Sequence, residues 1–146
     1  MNINIKLFND YLKYNKEFLP KFSKVWDAWI DVRSMIDVSL PPKWWYKIPL
    51  GFWLELPEGY FARIEWRSGY AVKFGIDTIG NIIDSNYRWE IHAILMNNSN
   101  QLVEIRKWDR IAQMIIQKYE ICNFNVVEHL SETNRGIDWF WSTGSL

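Results

Sequence analysis

A period of two constrains this chain more than any other feature. Phe52, Leu54 and Leu56 recur at alternate positions up to Pro57-Glu58-Gly59; Ala62 and Ile64 follow, then Ile91, Ala93 and Leu95, then Val103 and Ile105. Successive side chains of a strand point to opposite faces, so this spacing reads as half-buried β-strands. Breakers separate the runs: Leu40-Pro41-Pro42, Pro49-Leu50-Gly51, Pro57-Glu58-Gly59 and Asn97-Asn98-Ser99-Asn100. The last is a polar tetrad between two strand patterns and predicts a hairpin turn. Many short strands at regular spacing suggest a sandwich, a jelly roll or a small barrel. Weak helical patterns around Asn9 to Phe18 and Ile111 to Gln117 are neither long nor capped.

A chain of 146 residues is one domain of ordinary size. Lys+Arg and Asp+Glu balance at 17 each, which argues against a general polyanion binder and so against nucleic acid. The balance leaves room for a small anionic ligand, because a few arginines converging on one pocket suffice. The single cysteine, Cys122, excludes an intrachain disulfide, reads as a small buried hydrophobe and leans the chain towards a cytoplasmic location. No apolar run approaches a membrane span, and Met1-Asn2-Ile3-Asn4-Ile5-Lys6 lacks the apolar stretch of a signal peptide. No His/Cys spacing suggests zinc, and His92 and His129 stand alone.

Five short stretches carry the chemistry. They are Ala28-Trp29-Ile30-Asp31-Val32, Arg67-Ser68-Gly69-Tyr70-Ala71, Ile83-Asp84-Ser85-Asn86-Tyr87-Arg88, Trp108-Asp109-Arg110-Ile111-Ala112-Gln113, and the run from Arg135 to Gly144 that contains Phe140, Ser142 and Thr143. A lone Arg-Ser-Gly is noise. Five ordered segments covering most of the chain resemble the five motifs of the trimeric dUTP pyrophosphatases (dUTPases). The resemblance implies an all-β jelly roll or distorted β-barrel, with a β domain over residues 1–130 and a C-terminal arm over 131–146 that closes on the nucleotide.

Asp84 is the first candidate for catalysis. A carboxylate that ionises near pH 4 when unperturbed can accept a proton from water at neutral pH, whereas an isolated turn aspartate usually bonds its own backbone. The resemblance makes Asp84 the base that prepares the water attacking the α-phosphate of dUTP, with dUMP and pyrophosphate as products. It implies that Tyr87 packs on the deoxyribose and leaves no room for a 2′-hydroxyl. It also implies that the stretch from Gly75 to Asn81 forms a hairpin reading the uracil edge. Arg67, Ser68 and Gly69 would meet the phosphates, with Gln113 from the fourth motif. Arg110 reads better as a salt-bridged structural arginine. From the arm, Arg135 would grip the γ-phosphate, Phe140 would stack on uracil, and Ser142 and Thr143 would cradle phosphate. A guanidinium fork and short hydroxyls suit that task. Asp31 would hold Mg2+ through water, since magnesium keeps several waters and needs few protein ligands. The family also implies a homotrimer whose sites draw on three copies.

The ten tryptophans are the departure. Trp26, Trp29, Trp89, Trp108, Trp139 and Trp141 stand where the family usually has glycine, and Trp66 joins them as a further candidate. A bulky residue in a left-handed conformation costs roughly 1–2 kcal/mol, so six such sites would cost about 6–12 kcal/mol, comparable with a whole domain's stability. Three explanations compete: a crippled or altered enzyme, a tryptophan-rich interface, and a UGA codon that is read as glycine in some genetic codes and as tryptophan in others. The third accounts for changes that fall on glycines while sparing Asp84, Tyr87, Gln113 and Phe140; UGG codons at these positions would rule it out. Asn81 and Asp138 also replace common glycines. A dCTP deaminase of the same fold, or a non-catalytic nucleotide-binding trimer, are the competing functions.

Overall fold

The computed structural model describes residues 1–8, 10–134 and 136. Arg135, Asp138, Trp139, Phe140, Trp141, Ser142 and Thr143 lie outside the described residues.

Among the described residues the alternating sequence becomes eleven strands: β1 (Asn4–Leu7), β2 (Ile30–Arg33), β3 (Val38–Leu40), β4 (Trp45–Pro49), β5 (Phe52–Glu55), β6 (Tyr60–Trp66), β7 (Ile76–Thr78), β8 (Ile82–Ile83), β9 (His92–Asn97), β10 (Val103–Ile105) and β11 (Arg110–Lys118). Two short helices interrupt them, α1 (Asp10–Tyr14) and α2 (Ser68–Phe74), with a 3-10 turn over Lys16–Phe18. The strands pair antiparallel in four open sheets, ordered β1-β5, β10-β3, β2-β11-β6-β8 and β4-β9-β7. Among the described residues they form a mainly β, jelly-roll arrangement rather than one closed barrel.

The inward residues of each strand make one core. Ala62 and Ile64 of β6, Ala93 and Leu95 of β9, and Val103 and Ile105 of β10 are buried in it. Their neighbours in sequence face outwards, as a two-residue period demands. Ile111 and Ala112 are consecutive yet both buried. The register of β11 against β2 slips between Arg110 and Ala112, and such a bulge turns two neighbouring side chains to one face.

Two local expectations change, and one helix forms where none was expected. The segment from Ile111 to Gln117 is strand, because both of its edges are paired, to β2 and to β6. Asn97 to Asn100 does turn the chain, but β9 and β10 belong to different sheets. Buried Asn97 holds that turn by donating to the carbonyls of Leu40 (3.0 Å) and Gln101 (2.8 Å) and accepting from Ser99. Ser68–Phe74 is helical, with Tyr70 and Phe74 one turn apart (ring centroids 5.5 Å) and both packed on the core. Gly75 ends α2 at φ +64°, where its amide donates to Ala71, a conformation that suits glycine.

Candidate active site

The site begins at the C-terminal end of β6. On β2, Asp31 and Arg33 share the face opposite buried Val32. The ladder sets Gln113 of β11 between Asp31 of β2 and Glu65 of β6. One row across the sheet therefore joins the first and fourth motifs. β6 leads straight into Arg67 and α2, which brings the second motif to the same place.

Charge holds this corner together. Arg67 Nε lies 3.1 Å from Asp31 Oδ1, and Arg110 Nη1 lies 3.3 Å from Asp31 Oδ2. The Arg67 contact is close enough for an ion pair but too poorly aligned for a hydrogen bond, so these two buried atoms are held by charge alone. Arg67 also donates to the carbonyl of Arg110 (2.9 Å), and Arg33 to that of Trp108 (2.7 Å). Burial, and then the neighbouring Arg110, lowers the Arg33 pKa below its ordinary value. Three guanidiniums thus surround one carboxylate, and the excess of positive charge suits an anion. Arg33, Arg110 and Asp31 line a hollow of about 270 Å³. The salt-bridged reading of Arg110 holds. Arg33 was missed, although its two-residue spacing from Asp31 on a strand was the available signal.

Asp31 meets a magnesium ion on limited terms. Both of its oxygens already face guanidiniums, and the described residues contain no group of three or more His, Cys, Asp or Glu that could hold a metal. A direct ligand role would break these ion pairs. Contact through water, with other oxygens completing the shell, fits the donors present.

Ser68 and Gly69 open α2 and are exposed. Their amides have no intrahelical acceptor, as at any helix start. Asn81 lies beside the same row, its Nδ2 directed at Glu65 Oε1 at a long 3.4 Å. It does not adopt positive φ. The stretch from Gly75 to Asn81 is not a paired hairpin: β7 pairs with β9, and β8 with β6.

Asp84 and Tyr87 sit elsewhere. Ile83 pairs with Ala62, five residues before Arg67. At 3.3 Å per residue that puts the Asp84 turn roughly 16 Å along β6 from the arginine cluster. The exposed Asp84 lines an open cleft of about 540 Å³ together with Glu58, Ser85, Asn86, Arg88 and Tyr119. Tyr87 packs against the core, and its hydroxyl donates to the Glu90 carbonyl (3.2 Å). Within one chain the structure therefore joins Asp31, Arg67 and Gln113, and it does not bring Asp84 or Tyr87 to them.

The tryptophans divide. Trp26, Trp29, Trp66 and Trp89 are exposed and have no positive φ. Trp108 alone among them sits at φ +75°. Of the four described positions among the six, one carries the expected strain, or about 1–2 kcal/mol. Cys122 is exposed rather than buried.

A mainly β jelly roll with an arginine-rich corner at one end of β6 and an exposed aspartate turn at the other defines the class, and comparison with known proteins narrows it. The dUTPase family model matches residues 16–144. A deoxyuridine 5'-triphosphate nucleotidohydrolase of Finegoldia magna is 42% identical over 130 residues, covering 86% of this chain and 91% of that one. The chain belongs to the dUTPase family. The dUTPase of Staphylococcus bacteriophage 80alpha with dUPNHPP superposes with a TM-score of 0.86 at 23% identity, over 99% of both chains. A point mutant of the dUTPase from phage phi11 of S. aureus, described as coordinating a structural Mg(II) ion, gives 0.77 at 19% identity, over 88% of this chain and 98% of that one. These two likenesses bear on the fold.

Proposed function

We propose that this chain is a dUTP pyrophosphohydrolase, converting dUTP to dUMP and pyrophosphate. Asp31 flanked by Arg67 and Arg110 is the observation that carries the reading. A partly buried, guanidinium-rich corner built from three separate family motifs is suited to gripping a triphosphate.

Asp84 accepts a proton from a water whose oxygen attacks the α-phosphorus. The bond from that phosphorus to the bridging oxygen breaks, and pyrophosphate leaves. Tyr87, braced at its hydroxyl, presents a rigid ring to the sugar. Ser68, Gly69 and Gln113 add donors around the phosphates, and Asn81 lies at the base-reading segment. The arm over residues 131–146 supplies Arg135, Phe140, Ser142 and Thr143. Asp31 would hold magnesium through water, and the ion would supply neutralisation of phosphate charge.

The separation of Asp84 from the arginine corner supports a site completed between copies, in a homotrimer. So does the chain after β11. Ile121, Phe124, Val126 and Leu130 are apolar, and each is at least 74% exposed, as expected of residues that another copy covers. Among the described residues no helix is long and apolar enough to cross a membrane.

The test is dUTP hydrolysis with magnesium, followed by pyrophosphate release and by sedimentation of the protein. Trimers that release pyrophosphate from dUTP, with no ammonia from dCTP, are expected. Ammonia release from dCTP would point to the deaminase instead, and binding without turnover to the non-catalytic trimer.

A further inference from the structure

We infer that Arg88 is a positioning residue for the Asp84 turn, and that Glu55 and Asn4 hold it in place from the β1-β5 sheet. The inference rests on Asp84 being the base. The Asp84 carboxylate has no hydrogen-bond or ion-pair partner among the described residues, so the backbone of its turn alone sets its position. On one side Ile83 anchors that backbone through β8. The turn then closes through a single main-chain bond, from the Tyr87 amide to the Asp84 carbonyl (3.1 Å).

Arg88 supplies the second anchor. Its Nη1 donates to the Ser85 carbonyl at 2.6 Å and to the Tyr87 carbonyl at 3.0 Å, a staple across the segment that carries the base. Its Nη2 lies 3.8 Å from Glu55 Oε1. The other Glu55 oxygen accepts from Asn4 Nδ2 at 2.6 Å, and Asn4 stands directly opposite Glu55 in the β1-β5 ladder. The N-terminal strand thus connects to the turn through three side chains. A planar, forked guanidinium can reach two carbonyls and a carboxylate at once, which a lysine ammonium does less well. Arg88 and Glu55 are about half exposed, so their contacts contribute little to overall stability. Their effect is on placement, to which a reacting group is far more sensitive.

The experiment compares Arg88→Gln, Arg88→Lys, Glu55→Gln and Asp84→Asn with the wild-type full-length chain in steady-state dUTP hydrolysis, each with its melting temperature. Arg88→Gln should lower kcat about 10-fold, with KM within about 2-fold and melting nearly unchanged. Arg88→Lys should recover part of the loss. Glu55→Gln should lower kcat about 2-fold, with no further loss when combined with Arg88→Gln. Wild-type kcat in Arg88→Gln beside an inactive Asp84→Asn overturns the role of Arg88 alone. An active Asp84→Asn overturns the base assignment and this inference with it. A raised KM at unchanged kcat makes Arg88 a substrate-binding residue and also overturns it, as does a kcat loss matched by a fall in melting temperature. If Arg88→Gln does not fold, Glu55→Gln decides: a selective kcat loss supports the linkage, and wild-type kinetics overturn it.

Discussion

The two ends of β6 are built on opposite principles. At the Trp66 end, Asp31, Arg33, Arg67 and Arg110 constrain one another through charge and through carbonyls of adjacent strands. At the Tyr60 end, Asp84 faces open solvent on a turn held by backbone bonds and one arginine. The first region is organised before any ligand arrives. The second presents a reactive group whose surroundings come from elsewhere. An anion grip benefits from preorganisation because unpaired buried charges are costly. A base needs solvent access until the substrate and a neighbouring copy enclose it.

The largest expected effect breaks the exposed end. Asp84→Asn should reduce dUTP turnover by about 10²–10⁴-fold while nucleotide binding and melting temperature hold. Steady-state kinetics with calorimetric titration of a non-hydrolysable analogue checks this. A loss of binding equal to the loss of turnover would move Asp84 from catalysis to recognition.

Next comes the preorganised end. Arg67→Ala removes one partner of a partly buried carboxylate and one donor to the triphosphate. Triphosphate affinity should fall about 10–100-fold, the range of a charge-assisted hydrogen bond. The melting temperature should fall as well, because Asp31 keeps an ion pair with Arg110 alone. An unchanged melting temperature would mean that the corner is not the rigid half of the site.

Trp108→Gly sharpens the comparison at the backbone level. Relief at φ +75° is worth about 1–2 kcal/mol. Losing the ring contact with Phe18, at 4.8 Å, costs about 0.5–1.5 kcal/mol. The Lys107 ammonium 5.0 Å over the same ring is lost as well, at about 0.5–1 kcal/mol, so relief and loss nearly cancel and melting should move by no more than a few degrees. Trp26→Gly and Trp89→Gly, at exposed sites without positive φ, have no such backbone relief to offset the lost side chain. Sequencing the gene adds an independent check, since a UGA codon at position 108 would make glycine the translated residue in a lineage with that code.

The smallest effect concerns pH. Burial, against an opposing bond to the Glu90 carbonyl, lowers the pKa of His92 below its ordinary value of 6.5. The unfolded chain therefore takes up the proton first as pH falls. The contribution of His92 is fully present above about pH 6.5 and is lost progressively below it. His92 Nδ1 donates to the same Glu90 carbonyl (2.8 Å) that accepts the Tyr87 hydroxyl, so the loss falls on the Asp84 side of the molecule. Melting curves from pH 7.5 to 5 should decline less steeply in His92→Gln than in wild type. Parallel curves would remove His92 from the account.

Period-two patterning, with turn residues between the runs, was enough to make the chain a mainly β domain, because alternation maps directly onto the two faces of a strand. The order of the five motifs was enough to nominate Asp84, Asp31, Arg67 and Gln113. Local sequence could not reveal that α2 would form, since its signal was only Tyr70, Phe74 and a closing Gly75. Nor could it show that β11 is paired on both edges or that Arg33 completes the arginine corner. Pairing and register decide those points: they bring Asp31 beside Gln113 across the sheet and carry Asp84 to the far end of β6. They also decide which tryptophan matters, because φ is set by the path of the folded chain and left-handed geometry falls on Trp108 alone among the described tryptophans. Side-chain chemistry is written locally, whereas distance between charges exists only once the strands have chosen their partners.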